Sequence, residues 1–236
     1  MRVTTTSSIV AALCAAGPAS AGTLLVTASV GSRAASVEFV ASGTNLVVTL
    51  TNTSAADALV PVDILTGVFF DIAGAPVLTR SSAVVAMGST VHFGPTDPGG
   101  VVGGEWAFKG ALVGAPWGAD FGISSAGLGL FGPGDRFPGS DLQPPPSPDG
   151  LQYGITTAGD NPATGNAAVT GGGALIQNAV VFTVSGLPLG FDPMLAISGI
   201  SFQYGTALSE PNIVPGPAGL ALLAAAGLGW TRRRRA

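Results

Sequence analysis

A single histidine, His92, and a single cysteine, Cys14, limit the chemistry that this chain of 236 residues can assemble. Any histidine-based triad or general base has to use His92, yet the run Thr90-Val91-His92-Phe93 has strand character, so His92 reads as a strand histidine. The usual nitrogen and sulfur ligands of a zinc site cannot be collected in one chain from that inventory. Gly122-Ile123-Ser124-Ser125-Ala126-Gly127 approaches a nucleophile elbow, but neither serine has glycine at both required offsets. Gly127-Leu128-Gly129-Leu130-Phe131-Gly132 spells a dinucleotide fingerprint, and Pro133-Gly134 directly after it prevents the helix that such a fingerprint needs.

Carboxylates and aromatic rings are the remaining candidates. Asp120, Asp135, Asp141, Asp149 and Asp160 fall in one glycine- and proline-rich stretch, and calcium favours clustered oxygen ligands. Their spacings match no calcium loop, whereas Asp149-Gly150 and Asp160-Asn161 are ordinary turn pairs, so turn roles and no cofactor are the first expectation, with calcium as the weaker alternative. A carboxylate pair for glycoside hydrolysis depends on a separation in space that a sequence does not supply. Trp106, Trp117, Phe121, Phe131, Phe137 and Tyr153 could present rings to a sugar, with Trp106, Trp117 and Tyr153 as the ligand-binding candidates; core packing is the competing role for each.

The elements that must position these residues read as strands. Charged residues make up only 9% of the chain, and short apolar runs are broken by 36 glycines and 18 prolines, which is the pattern of an all-β domain. Val37, Phe39 and Ala41 alternate with Ser36, Glu38 and Val40; after Ser42-Gly43-Thr44-Asn45, Leu46, Val48 and Leu50 alternate with Val47, Thr49 and Thr51, so a hairpin is expected. Further strands are expected over 24–30, 58–64, 67–72, 83–87, 90–93, 105–112, 151–156, 175–184 and 196–204. About ten strands without an amphipathic helix predict a β-sandwich or jelly roll over residues 22–208. Residues 114–173, rich in glycine and proline but carrying apolar residues, should form long loops folded over one end or face of it.

The two ends have a different composition. Arg2, the apolar stretch Ile9 to Ala16 and the small residues Ala19-Ser20-Ala21 read as a secretory signal peptide over residues 1–21, cleaved by signal peptidase before Gly22. Cys14 lies inside it, so the mature domain is expected to hold no thiol. Residues 209–217 read as a linker ending in Val214-Pro215-Gly216-Pro217. The run from Ile213 to Trp230 has no charge over 18 residues; as a helix it would be about 27 Å long, enough to cross a thin bilayer. Residues 218–236 are thus expected to be a transmembrane helix followed by Arg232, Arg233, Arg234 and Arg235, which belong on the cytoplasmic side and leave the domain outside. Loss of Arg2 and the four terminal arginines leaves Arg33, Arg80, Lys109 and Arg136 against 13 acidic residues, so the formal charge falls from -4 to about -9, which excludes nucleic acid as a partner.

A Pro-x-Pro element, an apolar helix and an arginine cluster, in that order, resemble the C-terminal sorting signal of the PEP-CTERM proteins, substrates of exosortases in Gram-negative bacteria. The resemblance implies recognition of Pro215-Gly216-Pro217 by a membrane-embedded cysteine peptidase, transient anchoring in the inner membrane, and delivery to the cell surface or extracellular matrix. Gly216 stands where the family's usual motif has glutamate. The pieces Gly122 to Gly129, Ser147 to Gly154 and Ser201 to Thr206 look like those of other exosortase-dependent surface proteins, which implies location and no reaction. The expectation is a non-enzymatic surface or biofilm-matrix protein with a structural or adhesive role. The alternatives are a carbohydrate-binding module for exopolysaccharide, or a surface hydrolase using acidic residues.

Overall fold

The computed structural model describes residues 22–216, apart from Asp97, Asp135 and residues 145–149. The segments read as signal peptide and as transmembrane helix lie outside the described residues. Among the described residues no helix is long and apolar enough to cross a membrane. The strands are β1 (Thr23–Val30), β2 (Arg33–Ser42), β3 (Asn45–Asn52), β4 (Leu65–Ile72), β5 (Thr79–Val85), β6 (Thr90–His92), β7 (Ala107–Lys109), β8 (Phe121–Ser124), β9 (Ile155–Thr156), β10 (Leu175–Gln177), β11 (Ala179–Ser185), β12 (Ile197–Tyr204) and β13 (Asn212–Ile213). One helical turn, α1 (Pro193–Ala196), precedes β12.

Two sheets face each other across one core. The first has the order β1-β2-β3-β11-β5, antiparallel throughout; in the second, β13-β12-β4-β9-β10-β6, strand β4 also pairs with β8, and β8 with β7. Period-two alternation builds the inner face of the first sheet: Val37, Phe39 and Ala41 of β2 and Leu46, Val48 and Leu50 of β3 are buried, with half-buried residues between them. Their hairpin closes through Gly43-Thr44, and Gly43 takes the positive φ of 62° that the tight turn requires. Phe39 meets Phe70 of β4 edge to face at 5.0 Å, and Trp106 packs on Phe182 of β11 at 4.9 Å, so rings tie one sheet to the other.

Strand β4 is buried on both faces because the loop-rich stretch covers the outside of the second sheet. Phe70 points into the inter-sheet core, while its neighbour Phe69 joins an outer cluster with Leu112, Leu128, Phe131 and Phe137. Apolar residues between Leu112 and Phe137 therefore form a third layer over one face, while Tyr153 and Ile155, later in the loop-rich stretch, join the inter-sheet core.

Several expected strands change character for local reasons. Residues 58–64 hold a 3-10 turn at Pro61–Asp63, because proline starts the turn and the Asp63 carboxylate accepts the Leu59 and Val60 N–H groups at 3.3 Å each. The run 175–184 is two strands: Asn178 breaks it with a φ of 89°, sending β10 to one sheet and β11 to the other. Strand β8 arises where loop was expected; a Cβ at Gly122 would lie 2.8 Å from the Phe69 ring, so glycine there serves close packing. Residues 209–213 are not a free linker, since β13 pairs with β12 through Ile213 and Phe202 and Ile213 is buried.

Candidate functional site

The chain's return from β12 to β13 is fixed by polar side chains. Gly205 turns with a φ of 73°, and the Glu210 carboxylate accepts the N–H groups of Thr206 at 2.5 Å and Ala207 at 2.7 Å. The fully buried Gln203 amide donates to the carbonyls of Tyr204 at 2.9 Å and Ala207 at 3.1 Å, and its oxygen accepts from Asn212 Nδ2 at 3.1 Å. Asn212 Oδ1 in turn accepts from Trp117 Nε1 at 2.8 Å. Trp117 reaches it from a left-handed backbone, φ 57°, in the Pro116–Gly118 turn, and its ring stays 74% exposed.

Beside this ring, between β1 and the β12–β13 pair, runs a groove of about 400 Å³. Leu24 and Val26 of β1 form one wall and Ile197 to Ile200 of β12 another; Met194, Trp117, Val214 and Pro215 form its rim. No lining residue titrates, so the groove offers apolar contact and no proton transfer. A second hollow of about 370 Å³ lies between residues 75–78 and the β7–β8 connection, with Asp120 as the lone carboxylate in its lining.

Of the three aromatic candidates, the structure leaves Trp117 alone at the surface. Trp106 is fully buried, and Tyr153 belongs to the same core with its hydroxyl donating to the Pro95 carbonyl at 2.6 Å, so these two take the competing core-packing role and the three do not share a face. Inter-sheet packing takes Trp106, because an inward position beside Phe182 removes more apolar surface from water than any exposed one. Phe121, Phe131 and Phe137 are buried as well.

The other candidates are placed as follows. His92 Nε2 lies 3.3 Å from Gln177 Oε1 across β6 and β10. Ser124 and Ser125 are buried, and Ser124 Oγ donates to the Thr66 carbonyl at 3.0 Å. Asp160 accepts the Ala58 N–H at 2.8 Å, and Asp57 accepts the Asn161 N–H at 3.2 Å, so these carboxylates fasten turns. Arg33 and Asp63 pair at 2.8 Å, with Arg33 Nε also donating to the Val62 carbonyl at 2.7 Å. Among the described residues no three His, Cys, Asp or Glu side chains gather in a way that could hold a metal ion.

Of the processing residues, Val214, Pro215 and Gly216 are described, while Ala19, Ala21, Pro217 and Arg232 to Arg235 are not. Val214 is 39% exposed, and a Cβ at Gly216 would meet none of the described residues within 4 Å. Asn212, Gln203 and Met194 carry no motif that a sequence would betray; they join the site because β13 folds back. No protein-family model, no curated protein and no solved structure matches the chain.

Proposed function

We propose that this chain is an exported surface or extracellular-matrix protein, non-enzymatic and structural or adhesive in role, whose β-sandwich is delivered by an exosortase-type system acting on Val214-Pro215-Gly216-Pro217. The observation that carries the reading is the sequence order of that element, the uncharged run to Trp230 and Arg232 to Arg235. The fold is compatible with it: the last described strand ends at Ile213, and after Val214 and Pro215 on the groove rim a Cβ at Gly216 would meet no described residue within 4 Å, so a peptidase would meet the element at the edge of the packed domain. Glutamate in place of Gly216, the family's usual residue, would also fit.

The measurement is the intact mass of the surface-exposed protein. The expected product begins at Gly22 and lacks Arg232 to Arg235. Recovery of protein with those arginines attached rules out processing and leaves a permanent anchor.

A carbohydrate-binding module is the second reading, favoured by the exposed Trp117 ring at the rim of the groove. It is weaker than the first because Trp106 and Tyr153 are buried in the core. Glycan binding that disappears in Trp117→Ala would put it ahead; a glycan array without signal removes it.

A further inference from the structure

The edge that carries the groove is also the edge from which the chain leaves the domain. Ile213 is buried in the β12–β13 pair, and Val214 and Pro215 form part of the groove rim. The other end lies close by: a Cβ at Gly22 would sit 2.7 Å from the Asp192 carboxylate and 3.1 Å from Pro193, at the start of the same α1 turn that places Met194 on the rim.

Chain length then sets a distance. From Ile213 to Ala218 there are five residue steps, which span at most about 17 Å when fully extended. The headgroup layer of a bilayer is itself about 5–7 Å thick on each side of the hydrocarbon. If the uncharged run ending at Trp230 crosses the membrane, the reading on which this inference rests, residues 218–230 supply only about 20 Å of helix and draw the residues before them into the span, so the spacer is shorter than that limit and the domain cannot stand off from it. The surface that faces the bilayer must then be the surface around Ile213.

That surface has suitable chemistry for the position. Trp117 is 74% exposed, Leu195 on α1 is 86% exposed, and Met194 and Val214 are 49% and 39% exposed. An indole with one polar edge and one apolar body partitions to the headgroup level, and Trp117 is held outward by its bond to Asn212 rather than left to rotate. No lysine or arginine lines the groove, so attraction to anionic lipid has no basis here.

We propose that this groove-bearing edge seats on the outer face of a zwitterionic lipid bilayer, with Trp117 and Met194 in the headgroup region, while the tail remains attached. Removal of the tail releases the seat, because four side chains bury too little area to hold the domain at a membrane alone.

The test uses the exported protein with its tail retained, purified from a host without the peptidase and reconstituted in phosphatidylcholine vesicles. Trp230→Phe removes the tail's own indole, and the buried Trp106 reports an intact core. Flotation with the vesicles checks the tail. Lipids brominated near the headgroup end of the acyl chains should then quench most of the Trp117 emission and leave the Trp106 emission unchanged, with Trp117→Phe as the reference that lacks the quenched component. A protein that floats with Trp117 unquenched overturns the seat and leaves the tail reading standing. A protein that fails to float removes the tail reading, and the seat with it.

Discussion

Tyr204 ends β12 with its ring wholly buried and its hydroxyl without a hydrogen-bond partner among the described residues. Burial pushes the phenol well above its ordinary value near 10, with Arg33 pulling it down and Asp63 adding to the rise. The sign follows from proton counting: above pH ~10 the unfolded chain gives up this proton while the folded chain keeps it, so the folded state holds more protons. Stability is therefore undiminished by this group below pH ~10 and falls by about 1.4 kcal/mol per pH unit beyond it. Tyr204→Phe should remove that alkaline slope and, by deleting an unpaired buried hydroxyl, raise stability at pH 7 by about 1 kcal/mol. Urea unfolding of both proteins at pH 7 and above pH 10 measures the difference. Equal alkaline slopes in the two would show that the phenol ionises no differently in the folded state.

The β12–β13 return is secured by a dense set of side-chain hydrogen bonds. Gln203 offers two N–H groups to a cluster of four carbonyls, those of Tyr204, Ala207, Glu210 and Pro211, all within 3.5 Å of its amide nitrogen. Gln203→Ala should strip this partner from buried carbonyls and from Asn212, at a cost of about 2–3 kcal/mol in urea unfolding. A loss below about 0.5 kcal/mol would mean that water replaces the amide without penalty, as at an ordinary surface site. None of this was visible in the sequence, where residues 209–217 read as a linker. The β2–β3 hairpin and its turn were legible, although β2 begins three residues earlier than the alternation showed, because alternation over two runs and a glycine turn specify register locally. Strand β8 and the division at Asn178 were not, because both depend on what packs from elsewhere: Phe69 against Gly122, and Ser89 Oγ accepting from Asn178 Nδ2 at 3.1 Å. At the site the same limit applied to the aromatics. Trp106, Trp117 and Tyr153 look alike in sequence, and only the inter-sheet space decides which are consumed.

At the scale of the whole molecule, the domain and its C-terminal extension meet at a boundary two or three residues past Ile213. Everything up to Ile213 contributes to the fold: β13 pairs with β12, Asn212 holds Trp117, and Ile213 closes one side of the core. Gly216 makes no such contact, since a methyl group placed on its Cα would touch none of the described residues within 4 Å. Cutting after Gly216 should thus leave the thermal midpoint of the mature domain unchanged. Cutting after Pro211 deletes β13, exposes the groove wall and leaves Trp117 Nε1 and Gln203 Oε1 without Asn212, which should cost about 2–4 kcal/mol through lost apolar burial and unpaired polar groups. Melting curves of the two truncated domains decide between this boundary and a free linker from residue 209, for which both cuts would melt alike. The difference also bears on the proposed processing, since a domain cleaved as proposed has to finish folding before the cleaved bond.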